Sequence, residues 1–430
     1  MRKTFTAIFA SAMVAMPGLV NAETLGDIVK IAVSTHPTVA AREAAQRARE
    51  DAVDQERATY FPTIDFTLDY GIRAIENATT RARNPSDRDF RSTSLGEVKV
   101  TQMVFDGFDT INRERAAKIR ADVAVDEIHD SEETIALRAA QAYLEVLRDR
   151  LIVELAEENV KSHTAVRDDM KVKAEGGGNS VADLRQAEAR LFQAQARLEE
   201  LRGTLRDSTT NFLESVGTLP GQLEPPTIPD QSFPKTVEDA VAMALDGNPG
   251  VNSAVKTVSA RMVDLETLTS PYWPNLTLEA THTRSFNAAG IRAYDNETTA
   301  LAVVRYNLFR GGLDNARRSQ ARELISQATS LEAEAKRTVE RQMRTDYNAY
   351  EVAKKNVPVL EERVDRSSEV LKAYSEQFAL GQRTLLDVLD IENELFQAEV
   401  ALAEAETNVL FGQVRVLSTA GVLVKTVAQK

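Results

Sequence analysis

The sequence predicts a mixed fold of long α-helices and transmembrane β-strands, laid down as one unit used twice. Three observations predict it. Landmark motifs recur in the same order at a near-constant spacing, the mark of an internal duplication. Each unit holds a helical run far longer than a compact domain needs. Each also holds two short stretches of alternating polarity, the pattern of strands with one apolar and one wet face.

The elements follow in order. Arg2 and Lys3 precede an apolar or small run from Phe5 to Val20, and Val20-Asn21-Ala22 gives a small-x-small site. This is a signal-peptide pattern, so residues 1–22 are expected to be removed after Ala22. The run is short for an uncleaved membrane anchor. The 430 residues include no cysteine, which excludes a disulfide framework, a thiolate nucleophile, a cysteine-based metal site and a lipid anchor on an N-terminal cysteine. The formal charge is −13, and loss of Arg2 and Lys3 makes the mature chain more acidic still, so nucleic acid is excluded as a partner. No later apolar run is long enough for a transmembrane helix, and any membrane crossing falls to strands.

The duplication runs through the rest. His36-Pro37-Thr38-Val39 is answered by Asn248-Pro249-Gly250-Val251, and Tyr60-Phe61-Pro62 by Tyr272-Trp273-Pro274 at the same spacing. Beyond the strands the spacing shortens. Phe105-Asp106-Gly107 matches Phe309-Arg310-Gly311, Leu191-Phe192-Gln193-Ala194 recurs unchanged from Leu395, and Gly217 meets Gly421. The first unit is 23–217 and the second 235–423, with a short tail at 424–430. The connection 218–234 carries Pro220, Pro225, Pro226, Pro229 and Pro234, a stiff extended linker.

Within each unit a moderate helix (about 38–59, then 250–271) leads into a strand pair, at 61–72 and 94–105, then at 273–284 and 298–309. A long helical hairpin follows. Phe108 to Glu175 has no Gly or Pro, which allows a helix on the order of 100 Å. Its counterpart from Leu313 is expected to be interrupted and kinked at Pro358. The returning helices carry heptad columns: Leu184, Leu191, Leu198, Leu205 and Phe212, then Val388, Leu395, Leu402, Val409 and Val416 with Ile391, Ala398, Ala405 and Gly412 beside them.

In the first strand Ile64, Phe66, Leu68 and Tyr70 oppose Asp65, Thr67 and Asp69; in the third Leu276, Leu278 and Ala280 oppose Asn275, Thr277 and Glu279. An apolar stripe backed by charge suits a barrel with lipid outside and water inside. Tyr60, Phe61, Phe105, Tyr272, Trp273 and Phe309 cluster at the helix-proximal ends, where an interfacial girdle belongs. Four strands leave open edges, which lipid does not tolerate. The smallest transmembrane barrels use about eight strands, so several copies must combine.

Catalytic and metal-binding patterns are absent from the sequence. His36, His129, His163 and His282 are scattered, with no metal pair or oriented base, and there is no phosphate-binding loop or nucleophile elbow. No enzyme activity, cofactor or metal is expected. Gly177 and Ser180 mark the first helix-to-helix turn, and Gly381 and Thr384 the second. Capping accounts for Asp183 and Asp387 near the helix starts, but not for Arg383, a cation at a helix N-terminus, nor for Asp390 one turn further in.

The run Leu380 to Asp390, followed by Glu394-Leu395-Phe396 and Ala398, resembles the periplasmic-tip signature of the TolC-type outer-membrane channels of type I secretion and tripartite efflux. The resemblance extends over essentially the whole mature chain. It implies an outer-membrane efflux protein fold: a homotrimer whose chains contribute four strands each to a 12-stranded β-barrel in the outer membrane of a Gram-negative bacterium. A hollow α-helical barrel of coiled coils continues it through the periplasm. It also implies opening of the tip by an inner-membrane transporter and its periplasmic adaptor, which would meet the tip turns at Gly177, Ser180, Gly381 and Thr384. Asp387 and Asp390 stand at the family's two acidic rings, where mutual repulsion raises some of their pKa values and favours bound cations. Arg383 matches the arginine tying the closed entrance, Asp183 its aspartate partner, and Phe378 stands where a gating tyrosine is often found. The competing reading is a soluble periplasmic coiled-coil scaffold or adaptor, which has no use for four alternating strands.

Overall fold

The computed structural model describes residues 23–76, 78–83, 90–176, 181–228, 233–287 and 293–428, so the predicted signal segment lies outside it. The first unit runs α1 (Leu25–Thr35), α2 (Pro37–Ala58), β1 (Thr63–Ala74), α3 (Ala78–Arg83), β2 (Phe90–Phe105), α4 (Asp109–Glu175) and α5 (Val181–Val216). The second runs α6 (Val237–Gly247), α7 (Pro249–Thr267), β3 (Asn275–Phe286), β4 (Tyr294–Arg305), α8 (Leu313–Ala379), α9 (Leu385–Thr419) and α10 (Leu423–Ala428).

The recurring motifs are recurring local physics. His36 Nδ1 accepts the Thr38 N–H at 3.1 Å and Asn248 Oδ1 accepts the Val251 N–H at 3.1 Å. Each caps a helix whose next residue, Pro37 or Pro249, has no N–H to leave unsatisfied. Gly217 and Gly421 end α5 and α9 at φ 87° and 72°, the left-handed conformation glycine enters freely. Where β2 turns into α4, Gly107 and Phe108 both have φ 70°, and the equivalent Gly311 and Gly312 have 62° and 84°. A Cβ on Gly107 would stand 2.6 Å from the Ser270 carbonyl oxygen. Phe108 is held in this unfavourable backbone by edge contacts to Phe105 at 5.4 Å and Trp273 at 6.1 Å.

Several boundaries differ from the expectation. Three strands sit a few residues off at both ends, β1 and β3 because Pro62 and the 3-10 turn Ser270–Tyr272 delay them, while β2 starts earlier at Phe90 and ends at Phe105 as expected. The short helices α1, α3, α6 and α10 were not expected. The first has its apolar positions Leu25, Ile28, Val29 and Ala32 at helical spacing, and the tail 424–430 contributes most of α10. Pro358 does not interrupt the second long helix. α4 and α8 both have 67 residues, and one missing N–H is tolerated in a ladder supported on both sides.

The molecule is built in three tiers. The sheet is antiparallel throughout, in the order β1-β2-β3-β4, with Phe66, Val98, His282 and Thr298 in line across it. Its two faces differ as the alternation predicts. Ile64, Phe66, Leu68 and Tyr70 project from one, exposed. On the other, Glu279 meets Lys99 at 3.0 Å and Arg305 at 2.7 Å. In the second tier α4 lies between α2 and α7, and α8 packs beyond α7; in the third α4 lies between α5 and α9, with α8 beyond α9. Each tier is thus a row of four elements, and the rows end on the same two flanks: β1, α2 and α5 on one, β4 and α8 on the other.

The densest core joins α1, α4, α5, α9 and α10 around Ile28, Val29, Tyr143, Phe212, Leu417 and Leu423. The described first part of the linker, 218–228, straps across this core. Glu23 and Leu223 form a parallel bridge, Tyr143 donates its hydroxyl to the carbonyls of Glu23 and Glu224, and Arg150 donates to those of Gly221 and Pro220. Glu133 accepts the N–H groups of Leu423 and Val424, both at 3.1 Å. Burial outweighs these donors and pushes its carboxyl up to about 8. Among the described residues no helix is long and apolar enough to cross a membrane.

Candidate functional site: the helical tip

The end of the third tier is the turn between α8 and α9. The α8 helix stops at Leu380, and Gly381 at φ 73° starts the turn into α9. Thr384 caps α9 in a reciprocal box: its Oγ accepts the Asp387 N–H at 3.3 Å while Asp387 Oδ2 accepts the Thr384 N–H at 3.2 Å. The Thr384 hydroxyl also donates to Asp387 Oδ2 at 2.7 Å. These bonds, the side-chain one foremost, hold the Asp387 carboxyl below its ordinary range, with help from Arg383. Within one chain the direction is therefore opposite to that expected for a crowded acidic ring.

Among the described residues, Arg383 is bound within its own hairpin. Its Nε donates to Gln377 Oε1 at 3.0 Å, its guanidinium lies 3.8 Å from the centre of the Tyr374 ring, and Asp387 is 3.8 Å away. Asp183 is half-exposed in the first turn of α5, and among the described residues nothing in the chain joins it to Arg383. Phe378 packs against the small cluster of Met170, Ala187, Leu385 and Leu389, with Lys173 Nζ 5.1 Å over its ring. The tyrosine that serves Arg383 is Tyr374, one turn earlier on α8. Gly177 and Ser180, the predicted first tip turn, lie outside the described residues.

Asp390 is not solitary. Arg190 of α5 reaches across to it at 2.6 Å. Just beyond, Glu392 is buried between α9 and α4, where Ser162 donates to it and His163 Nδ1 stands 3.4 Å away. Burial pushes the His163 imidazole toward its neutral form, the charge of Glu392 opposes this and Arg190 adds to it. Sequence reasoning missed Arg190, Tyr374 and Glu392. Glu392 directly follows Ile391, one of the heptad positions, and that adjacency was the signal available.

The family model for "Outer membrane efflux protein" matches residues 28–218 and 240–422, both repeats. The chain belongs to this family, and it is an outer-membrane protein that serves as an exit duct. It is 26% identical over 401 residues to the outer membrane efflux protein BepC of Brucella suis, covering 93% of this chain and 85% of that one. It is 24% identical over 379 residues to the alkaline protease secretion protein AprF of Pseudomonas aeruginosa, covering 85% and 78%. Among solved structures, a membrane protein from Pseudomonas aeruginosa superposes with a TM-score of 0.78 at 16% identity, over 92% of this chain and 90% of that one. That likeness shows the fold. Family membership sets aside the soluble scaffold or adaptor.

Proposed function

We propose that three copies of this chain form a closed channel-tunnel, opened at its tip by an inner-membrane transporter and a periplasmic adaptor, through which secreted proteins or small toxic molecules leave the cell. The observation that carries this reading is the agreement of the three tiers. Each is a row of four elements ending on the same two flanks, and a row with unlike ends closes only by head-to-tail joining of copies around an axis. In the sheet, closure removes the edges of β1 and β4, which lipid requires. Three copies give twelve strands, a barrel wide enough to leave a lumen.

The open flank of α8 supports the same geometry. Leu324, Leu331, Val352 and Val359 stand at heptad intervals on this helix and all are exposed, an uncovered coiled-coil seam. The role is passage and not catalysis. Asp387 and Asp390 ring the entrance, Arg383 braces the second turn beneath them, Asp183 lies half-exposed at the start of α5 where a neighbouring copy can meet it, and the turns at Gly177, Ser180, Gly381 and Thr384 are met by the adaptor. Relatives named for efflux and for protease secretion bracket the cargo, and the channel serves whichever transporter engages it.

The test is complementation in a Gram-negative strain stripped of its own export channels and given this protein with the transporters and adaptors of its source organism. Restored drug tolerance or restored secretion of a type I substrate is expected. If the protein reaches the outer membrane and neither returns, the reading fails.

A further inference from the structure

We propose that Arg190 is a positioning residue of the gate: its ion pair with Asp390 holds the α4/α5 hairpin to the α8/α9 hairpin and sets how much of the entrance charge is exposed. This inference rests on the channel reading above. The geometry singles out Arg190 by contrast with Arg383. Among the described residues, the contacts of Arg383, to Gln377, Tyr374 and Asp387, lie within the α8/α9 turn. Moving one hairpin away from the other leaves all three intact. The Arg190–Asp390 pair at 2.6 Å instead joins α5 to α9, and the same motion must break it.

The pair works as a strut. Beside it a groove of about 590 Å³ separates α5 from α9, lined by Asn159, His163, Gln193, Asn393 and Gln397. The two helices otherwise make little contact along their length. Glu392, two residues on, grips α4 through Ser162 and His163, so the start of α9 is fastened to both helices of the other hairpin at one level. The groove is not itself an anion site, because both of its arginines are engaged: Arg190 by Asp390, and Arg197 by Glu200 at 2.6 Å.

Two effects follow, and they separate a gate residue from a merely stabilising one. Arg190→Gln removes the tie between α5 and α9, leaving the Glu392 grip and the cluster around Met170 and Leu389 to hold the hairpins, and uncovers Asp390, so conductance and cation preference both rise. Asp390→Asn removes the same tie but leaves an unpaired cation, so conductance rises while cation preference falls. The charge exchange Arg190→Asp with Asp390→Arg restores the strut and returns conductance toward that of wild type.

Single-channel recording of the full-length protein in planar bilayers, with reversal potentials in a salt gradient, reads all of these. We expect at least a twofold rise in conductance for each single variant, opposite shifts in reversal potential, and recovery in the exchange variant. Wild-type channels with both single variants unchanged would overturn the role of Arg190 and leave the channel reading standing. So would variants that lower thermal stability but not conductance or selectivity. Absence of any channel in the wild type would overturn both.

Discussion

The two longest helices are equal in length and unequal in surroundings. The α4 helix, 67 residues long, is flanked on both sides through two tiers and buries a series from Ala116 to Met170 that includes Ile135, Ala139, Ala140, Tyr143 and Val146. The α8 helix, also 67 residues, buries Ala321, Ala328, Met343, Tyr347 and Tyr350 with Asp346 and Ser367, and leaves a heptad column of leucine and valine in the open. Helices of the same length and parentage thus have different obligations. The first buries its apolar positions within the chain, and the second leaves an apolar column that the proposed assembly covers with another copy.

The same charge placed on each helix should act differently on the two. Ala139→Asp puts an unpaired carboxylate where no solvent reaches, at a cost of several kcal/mol; loss of helical circular dichroism on mild heating is expected. Leu331→Asp falls at a position more than half exposed within the chain, so the single chain keeps its helix content while assembly fails. The check is particle mass in detergent with the helical signal measured in parallel.

Smaller effects refine it. Gly312 occupies a left-handed position at φ 84° with open space around it, so Gly312→Ala should cost about 1–2 kcal/mol through backbone strain alone, read as a lower denaturant midpoint. Phe108 already bears that strain at the matching position, held by Phe105 and Trp273. Trp273→Ala should therefore destabilise the first strand-to-helix junction and leave the second unchanged, as hydrogen exchange at the two sites would report. On α4, Glu133 is raised to about 8 by burial, so its contribution to stability is fully present below the ordinary carboxylate range and is lost as pH rises through about 8. Melting temperature between pH 5 and 9 should fall more steeply for the wild type than for Glu133→Gln, which keeps the shape and one of the two acceptor oxygens without a charge to bury, and so starts from a lower value at pH 5.

Much of this fold was legible because the repeated motifs each do a local job. His36-Pro37 and Asn248-Pro249 start helices, Gly107 and Gly311 turn strands into helices, and Gly217 and Gly421 end them. The strand alternation was legible because one face carries Ile64, Phe66 and Leu68 and the other holds the pairs of Glu279. The entrance was legible only in part. Thr384 and Asp387 cap each other across three residues, a spacing any sequence displays. Arg190 and Asp390 meet across two hairpins, and no local pattern couples them. Glu392 was hidden by the heptad itself: a column read against one partner helix leaves its neighbour looking solvated, whereas α9 packs on both α8 and α4 and so buries a wider stripe.

Closure between copies decides whether this chain works as a channel. Native mass spectrometry of the protein extracted in detergent from outer membranes, recorded before and after boiling, measures it directly. A particle of three chains that boiling converts to single chains is expected. A single chain before boiling, with its strands and helices intact, would rule the closed assembly out.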